Sequence, residues 1–261
     1  MTRFPRALAG LLFLGLLTSC GKTPWNDPYP EAERAQNTLY SVFSERPKHL
    51  DPARSYSSNE VVFTGQIYEP PLQYHYLKRP YQLEPLTVRE LPQARYFDAQ
   101  GKLLATDAPA AQVAVSEYEI HILPGIRYQP HPAFAQDAQG RFLYHALSPA
   151  ALEKITTLSD FKISGTRELT AGDYVYQIKR LAHPRLNSPI FGLMADYIIG
   201  LKEYGAVLAT ADKQLKRDNG AAYLDLNRYP LAGAEVVDRY TYRVKLKGKY
   251  PQCVYWLAMP F

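Results

Sequence analysis

Residues that bind metals or attack substrates are scarce in this sequence. Two of its 261 residues are cysteine and six are histidine, and no two histidines have the H-x-H or H-x-x-x-H spacing that lets two imidazoles bind one metal. No G-x-S-x-G motif marks a nucleophilic serine, and Ser57, beside Ser58, is better explained as a helix cap. We therefore expect no metal ligand, no cofactor and no catalytic residue.

A strong charge of one sign and a phosphate-binding loop are also lacking. The chain has 30 basic and 25 acidic residues, and the two signs are interspersed. Gly165 and Gly172 are too isolated to form a glycine-rich loop around a phosphate. Because the net charge of +5 is weak and scattered, we expect no nucleic-acid partner.

The composition is that of a globular protein with many tyrosines. Hydrophobic residues make up 46% of the chain, enough for a sizeable core in one large domain or two ordinary ones. The 21 tyrosines suit either a binding surface or tyrosine-rich strands, and composition leaves both alternatives open.

Residues 1–19 have the features of a secretory signal peptide. Arg3 and Arg6 precede an apolar run at 8–17 that is too short to span a membrane as a stable helix. The tetrapeptide Leu17-Thr18-Ser19-Cys20 resembles the lipobox of bacterial lipoproteins. The resemblance implies that Cys20 is acylated and holds the mature protein to a membrane by its lipid anchor only. A buried cysteine in an ordinary helix is the alternative.

The second cysteine has no partner once Cys20 is acylated. No intramolecular disulfide can then form, and the apolar neighbours of Cys253 indicate a small buried residue, not a nucleophile. Residues 20–36 contain three prolines and mixed charge, which predict an extended tether between the lipid and the globular part.

The best-formed local pattern is a helix that precedes Pro184. Thr170 and Asp173 have the spacing of a capping-box variant, and apolar residues then recur at spacings of four and three. Pro184 should end the helix near Ala182. We interpret this helix as a piece of core and assign it no role in a site.

Further elements follow from caps, periodicity and turn residues. Ser57 and Glu60 have capping-box spacing before a helix that should end at Pro70. The other predicted helices cover 149–155, 190–204 and 206–217, and the predicted strands cover 39–43, a hairpin at 96–104, 113–123 and 236–246.

The globular part is expected to run from 37 to 261. Residues 72–168 predict a β-rich subdomain that ends in a polar, turn-rich insertion. The apolar run at 255–261 has neither a cap nor a polar tail, and we interpret the chain as a truncated protein.

Four stretches, in their order along the chain, resemble family 5 of the bacterial extracellular solute-binding proteins, which serve ABC importers. Residues 43–52, FSERPKHLDP, resemble its opening E-x-x-x-L-D-P loop, and residues 61–72, VVFTGQIYEPPL, resemble its first helix. Residues 118–129, YEIHILPGIRYQ, resemble a strand that ends in G-v-k-F, and residues 169–184, LTAGDYVYQIKRLAHP, resemble the L-T-A-x-D-V helix. Residues 130–168 depart from the family, because a short turn is usual there.

The resemblance implies an α/β fold in which a type II periplasmic-binding-protein-like lobe carries the β-rich subdomain, with a second lobe beyond Phe261. It implies a monomer on the periplasmic side of a bacterial membrane that captures oligopeptides and delivers them to the permease subunits of an ABC transporter. Nickel, haem, opine or sugar ligands, which relatives bind, and a lipid-anchored hydrolase are the alternatives.

Predicted ligand contacts follow from the fold that the resemblance implies. In open α/β sheets ligands gather at the carboxyl ends of strands, which here points to Phe43, Ser44 and Glu45 after the first predicted strand. An ordinary surface turn is the alternative for these three residues.

Overall fold

The computed structural model describes residues 29–218 and 223–260, which belong to two compact units. The first unit ends at Ser44 and the second begins at Glu45. The predicted signal peptide, Cys20 and most of the tether lie outside the described residues, so these stay predictions.

The described part of the first unit is a short 3₁₀ turn at Glu31–Ala35 followed by chain without regular secondary structure. The strand predicted at 39–43 is wrong, because within residues 29–44 this segment pairs with no other strand. Leu39 and Val42 are 93% and 96% exposed. An alternating apolar pattern forms a strand only where a neighbouring strand takes up its backbone hydrogen bonds.

The second unit is a mixed α/β fold built around an antiparallel sheet in the order β4-β3-β5-β7-β6, beside a separate hairpin of β1 and β2. The strands are β1 (Leu72–Tyr74), β2 (Leu83–Pro85), β3 (Ala94–Phe97), β4 (Leu103–Leu104), β5 (Val115–His121), β6 (Ala234–Asp238) and β7 (Thr241–Lys247). The helices are α1 (Ser58–Ile67), α2 (Pro149–Leu152), α3 (Ala171–Leu181), α4 (Phe191–Tyr197), α5 (Leu201–Asp218) and α6 (Cys253–Trp256).

The central strand β5 was predicted from its alternation, and the prediction is confirmed. Tyr118 and Ile120 are buried, whereas Glu119 and His121 between and after them are half-buried. β5 pairs with β3 on one side and with β7 on the other. Strands from the region 72–168 therefore share a sheet with strands close to the C-terminal end of the described chain. The domain boundaries themselves stay predictions.

The single strand predicted at 236–246 is wrong, because the chain reverses within it. Asp238 accepts a hydrogen bond from the Tyr240 backbone N–H (2.8 Å) and closes a turn between β6 and β7. The alternation that begins after this turn belongs to β7. The hairpin predicted at 96–104 is confirmed, with Asp98 accepting hydrogen bonds from the backbone N–H groups of Gln100 and Lys102.

The two capped helices are confirmed. Ser57 and Glu60 form a capping box at the start of α1, and Thr170 and Asp173 form one at the start of α3. α3 packs against β6 and β7 and buries Ile178 and Leu181.

The helix boundary predicted between 204 and 206 is misplaced, because the break falls at Gly200. Gly200 has a φ of +75°, a conformation that favours glycine, and α5 starts directly after it. Gly205 lies inside α5, where its missing side chain makes room for the ring of Phe191. Among the described residues, no helix has the length and apolarity that a membrane span requires.

Candidate functional site

A cleft of about 860 Å³ opens beside α3 in the second unit. Its volume falls within the range of about 300–1,000 Å³ that is usual for small-ligand sites. Its walls come from separate parts of the chain: residues 51–52, 66–71, 126–131, Phe134, Leu158, Leu169, several residues of 173–180, Met194, Ile198, Tyr242, Val244 and parts of 253–260.

All four stretches that carry the family resemblance reach this cleft. Asp51 and Pro52 come from the first stretch, residues 66–71 from the second, residues 126–129 from the third, and residues of α3 from the fourth. Our interpretation of α3 as core alone is therefore incomplete. One face of the helix is buried, as predicted, and another side lines the cleft.

Aromatic side chains form much of the wall near α3. The Tyr174 hydroxyl donates a hydrogen bond to the Glu69 backbone oxygen (3.0 Å) and shares another with the Thr87 hydroxyl (2.6 Å). Its ring stacks on Tyr242 with 5.5 Å between centroids. Burial raises the pKa of Tyr174 above its usual value of 10, so the hydroxyl is neutral at physiological pH. Tyr174 thus fastens α3 to the segment that carries Glu69.

An ion pair crosses another edge of the cleft. Arg180 Nη2 lies 2.6 Å from Asp51 Oδ2, while Asp51 Oδ1 accepts a hydrogen bond from the Ala53 N–H (3.1 Å). Arg180 Nη1 also donates to Gln177 Oε1 (3.1 Å). The Gln177 Nε2 atom is buried and has no hydrogen-bond partner in the described part of the chain. Because an unpaired buried donor is costly, Gln177 is suited to donate to a ligand oxygen.

A buried carboxylate holds the loop that carries Asp51. Glu60 is only 3% exposed, and its oxygens accept hydrogen bonds from the backbone N–H groups of Lys48 (3.0 Å), His49 (2.8 Å) and Tyr56 (3.2 Å). The hydrogen bond from the His49 N–H is the main cause that lowers the pKa of Glu60 from 4.5 to about 2, and bonds from Ser57 and Ser55 contribute less. The loop is thus fixed by a charged group that was predicted only as a helix cap.

We expect acid to release this loop. Because the pKa of Glu60 is lower in the folded than in the unfolded protein, its stabilising contribution is complete above about pH 4.5 and is lost as the pH falls toward 2. Glu60→Gln should lower the unfolding temperature at neutral pH by roughly 5–10 °C. In this variant the unfolding temperature should also decrease less as the pH is lowered from 4.5 to 2. Thermal unfolding across this pH range tests the expectation, with the exposed Glu153→Gln as control. Equal pH dependence in Glu60→Gln and the unmodified protein would contradict it.

The insertion at 130–168 forms one wall of the cleft through His131, Phe134 and Leu158. His131 and Gly165 exchange two backbone hydrogen bonds (2.8 and 3.1 Å) that close the start of the insertion onto its end. The segment in which this chain departs from the family is therefore part of its candidate site.

Arg167 connects the insertion to α3. Its guanidinium lies 4.6 Å from the ring centroid of Tyr128 and 5.3 Å from that of Phe134, and it pairs with the Asp173 carboxylate. Burial is the main cause that raises the pKa of Tyr128 to about 12, so its hydroxyl also stays neutral. Asp173 therefore has two roles, because it caps α3 and holds Arg167.

The ligand contacts predicted from the sequence, Phe43, Ser44 and Glu45, are not among the residues that line the cleft. Phe43 and Ser44 are exposed residues of the first unit. Glu45 opens the second unit, is exposed and does not line the cleft. Their role in binding stays a prediction.

Cys253 lies at the cleft wall and is buried, which confirms the prediction that it is a small buried residue. Burial raises the pKa of its thiol to about 12, so the thiol is protonated at neutral pH. Within residues 29–218 and 223–260, no group of three His, Cys, Asp or Glu side chains is placed to bind one metal ion.

Three solved structures are similar to this chain over part of their own length. The pheromone receptor PrgZ, described with its mode of peptide binding, has a TM-score of 0.44 and 15% identity over 80% of this chain and 27% of its own. OppA from Listeria monocytogenes, bound to peptide, has a TM-score of 0.42 and 14% identity over 81% of this chain and 28% of its own. OppA from Burkholderia pseudomallei has a TM-score of 0.41 and 15% identity over 81% of this chain and 27% of its own. This chain thus spans less than a third of each of them.

Comparison with family models and with curated proteins finds no match to this chain.

Proposed function

We propose that this chain belongs to the substrate-binding component of an ABC importer and that the cleft beside α3 captures oligopeptides. One observation supports the proposal most. The four stretches that resemble the solute-binding family are scattered between residues 43 and 184, yet each contributes residues to the same cleft. The convergence of separate stretches on one concave, mostly apolar surface is typical of a ligand-binding site.

The chemistry of the cleft suits a peptide of varied sequence. Tyr174, Phe134 and Trp256 offer aromatic surface that binds apolar side chains at a low cost in conformational entropy. Gln177 Nε2 offers a donor for a peptide carbonyl oxygen. Affinity then comes from backbone hydrogen bonds, and the aromatic surface tolerates different side chains.

The proposal also assigns roles to the N-terminal residues. Residues 1–19 direct export, Cys20 carries the lipid and residues 20–36 form the tether. The protein then remains on the periplasmic side of the membrane, where it binds a peptide without altering it and passes it to the permease subunits. The second unit forms most of one lobe, and closure of two lobes by a hinge encloses the ligand.

Peptide capture is tested with the purified full-length protein and a random oligopeptide library. We expect mass spectrometry of the retained material to find peptides, and Gln177→Leu to retain about tenfold less, because the mutation removes the unpaired donor. Gln100→Leu, at the exposed β3–β4 turn, is the matched control and should retain as much as the unmodified protein. Retention of non-peptide solutes only, or of equal peptide by Gln177→Leu, would contradict the proposal.

A further inference from the structure

The β1–β2 hairpin ends in an apolar loop that faces solvent. We define residues 76–81 as the hairpin tip. Tyr76, Leu77 and Tyr81 are 87%, 77% and 69% exposed, and none of them belongs to the hydrophobic clusters of the second unit. Single exposed apolar residues are ordinary, but three large ones on one short loop mark a surface that something covers.

The hairpin tip is held in shape by hydrogen bonds at its base. His75 donates its backbone N–H to the Gln82 oxygen (2.8 Å), and its Nδ1 atom accepts from the backbone N–H groups of Leu77 (3.2 Å) and Lys78 (3.3 Å). The guanidinium of Arg79 lies 4.3 Å from the centroid of the Tyr81 ring. Because the tip is ordered, its apolar side chains stay exposed instead of folding back onto the second unit.

The charge of the hairpin tip is entirely positive. Lys78 and Arg79 are adjacent, and no Asp or Glu occurs from Leu72 to Leu83. The nearest carboxylate along β2, on Glu84, already accepts a hydrogen bond from Gln73 Nε2 (2.9 Å). A partner that matches this tip therefore has a negatively charged surface with an apolar layer directly below it.

An anionic lipid bilayer has both properties. Tyrosine rings settle at the level of the headgroups, and lysine and arginine extend along apolar surface to reach the phosphates. Each basic residue near an anionic leaflet strengthens binding about fivefold, and the effect is lost with distance from the surface. A protein partner could match the charge, but the tip offers it only a few side chains.

We propose that the hairpin tip is a membrane-docking loop. It places Tyr76, Leu77 and Tyr81 among the headgroups of an anionic bilayer, with Lys78 and Arg79 on lipid phosphates. The inference goes beyond peptide capture and does not depend on the acylation of Cys20. Docking would give the protein a second membrane contact and limit the orientations of its peptide cleft.

The test uses a fluorescent probe on the hairpin tip of the full chain. Cys20→Ala removes the lipid site, buried Cys253 does not react, and Leu77→Cys carries the nitrobenzoxadiazole label. Vesicles contain phosphatidylcholine with or without about 30% phosphatidylglycerol, together with a nitroxide-labelled lipid as quencher. We expect a blue shift and strong quenching with the anionic vesicles. Adding Lys78→Glu and Arg79→Glu should raise the lipid concentration needed for half quenching at least tenfold.

A second probe separates docking from simple attachment, because the apolar leader alone can hold the chain near vesicles. Gln139→Cys lies on the exposed turn at 137–141 and should remain unquenched. Equal quenching at both positions, or equal quenching with and without phosphatidylglycerol, would overturn the proposal. A blue shift that grows with protein concentration and needs no vesicles would assign the tip to a second copy of the chain. Peptide retention by Lys78→Glu/Arg79→Glu should be unchanged, so failure here leaves peptide capture untouched.

Discussion

Gly233→Val is expected to leave the chain without a stable folded state. A Cβ atom on residue 233 would lie 2.3 Å from the Ile199 backbone oxygen, 2.8 Å from its nitrogen and 2.7 Å from Cγ2 of Ile198. Carbon atoms pack favourably at about 3.5–4.0 Å, so each of these contacts is a clash. Two of the three clashing atoms belong to the backbone, which cannot relieve a clash by changing rotamer as a side chain can.

The surrounding hydrogen bonds oppose any movement of the backbone away from residue 233. The Ile199 N–H donates to the Lys245 oxygen (3.0 Å), and the Lys245 N–H donates to the Gly233 oxygen (2.9 Å). Residue 233 is thus joined through β7 to the junction between α4 and α5 that it would have to push away. Overpacking of a core costs about 1–3 kcal/mol, and we expect more here because two backbone hydrogen bonds break as well.

Such a loss approaches the whole stability of an ordinary domain, about 5–15 kcal/mol. Circular dichroism and thermal unfolding of the full chain measure it directly. Gly192→Ala in α4 is the matched control, because its Cβ would meet nothing within 4 Å. Alanine also suits a helix better than glycine by up to about 1 kcal/mol, so the control should be at least as stable as the unmodified protein. A cooperative transition of Gly233→Val within about 3 °C of the unmodified protein would contradict the expectation.

Local chemistry allowed the capped helices to be predicted from the sequence. Ser57 with Glu60, and Thr170 with Asp173, stand three residues apart and form each cap without help from the rest of the fold. The break between α4 and α5 was misplaced because Gly200 and Gly205 look alike in sequence. Only the fold requires the positive φ at Gly200.

Strands were harder to predict because a strand depends on a partner. The segment 39–43 has apolar residues and pairs with no strand in the described part of the first unit. The turn after Asp238 was missed because apolar alternation continues on both sides of it.

In the candidate site, too, some features could be predicted from local sequence and others depend on the fold. The family resemblance selected the stretches that line the cleft, but it did not indicate which side chains meet there. Asp51 and Arg180 are 129 residues apart, and no local pattern joins them. The hydrogen bond that Asp51 accepts from the Ala53 N–H is local, whereas its pairing with Arg180 depends on the fold.

Gly165→Val is expected to weaken peptide binding at least tenfold while the chain stays folded. A Cβ atom on residue 165 would lie 2.2 Å from the Phe134 backbone oxygen and 2.6 Å from its carbonyl carbon. Gly165 also exchanges two backbone hydrogen bonds with His131. Because His131 and Phe134 both line the cleft, making room for valine displaces that wall.

Global stability should change far less, by about 1–2 kcal/mol, because Phe134 and its neighbours in the insertion lie outside the main hydrophobic cluster. Fluorescence anisotropy with labelled random pentapeptides measures affinity in the full-length protein, and thermal unfolding measures stability in the same samples. Ser164→Val is the matched control, since it adds a similar side chain at the exposed neighbouring position. Unchanged affinity in Gly165→Val would show that peptides do not contact the wall formed by the insertion, whereas loss of cooperative unfolding would show that the insertion is needed for the fold itself.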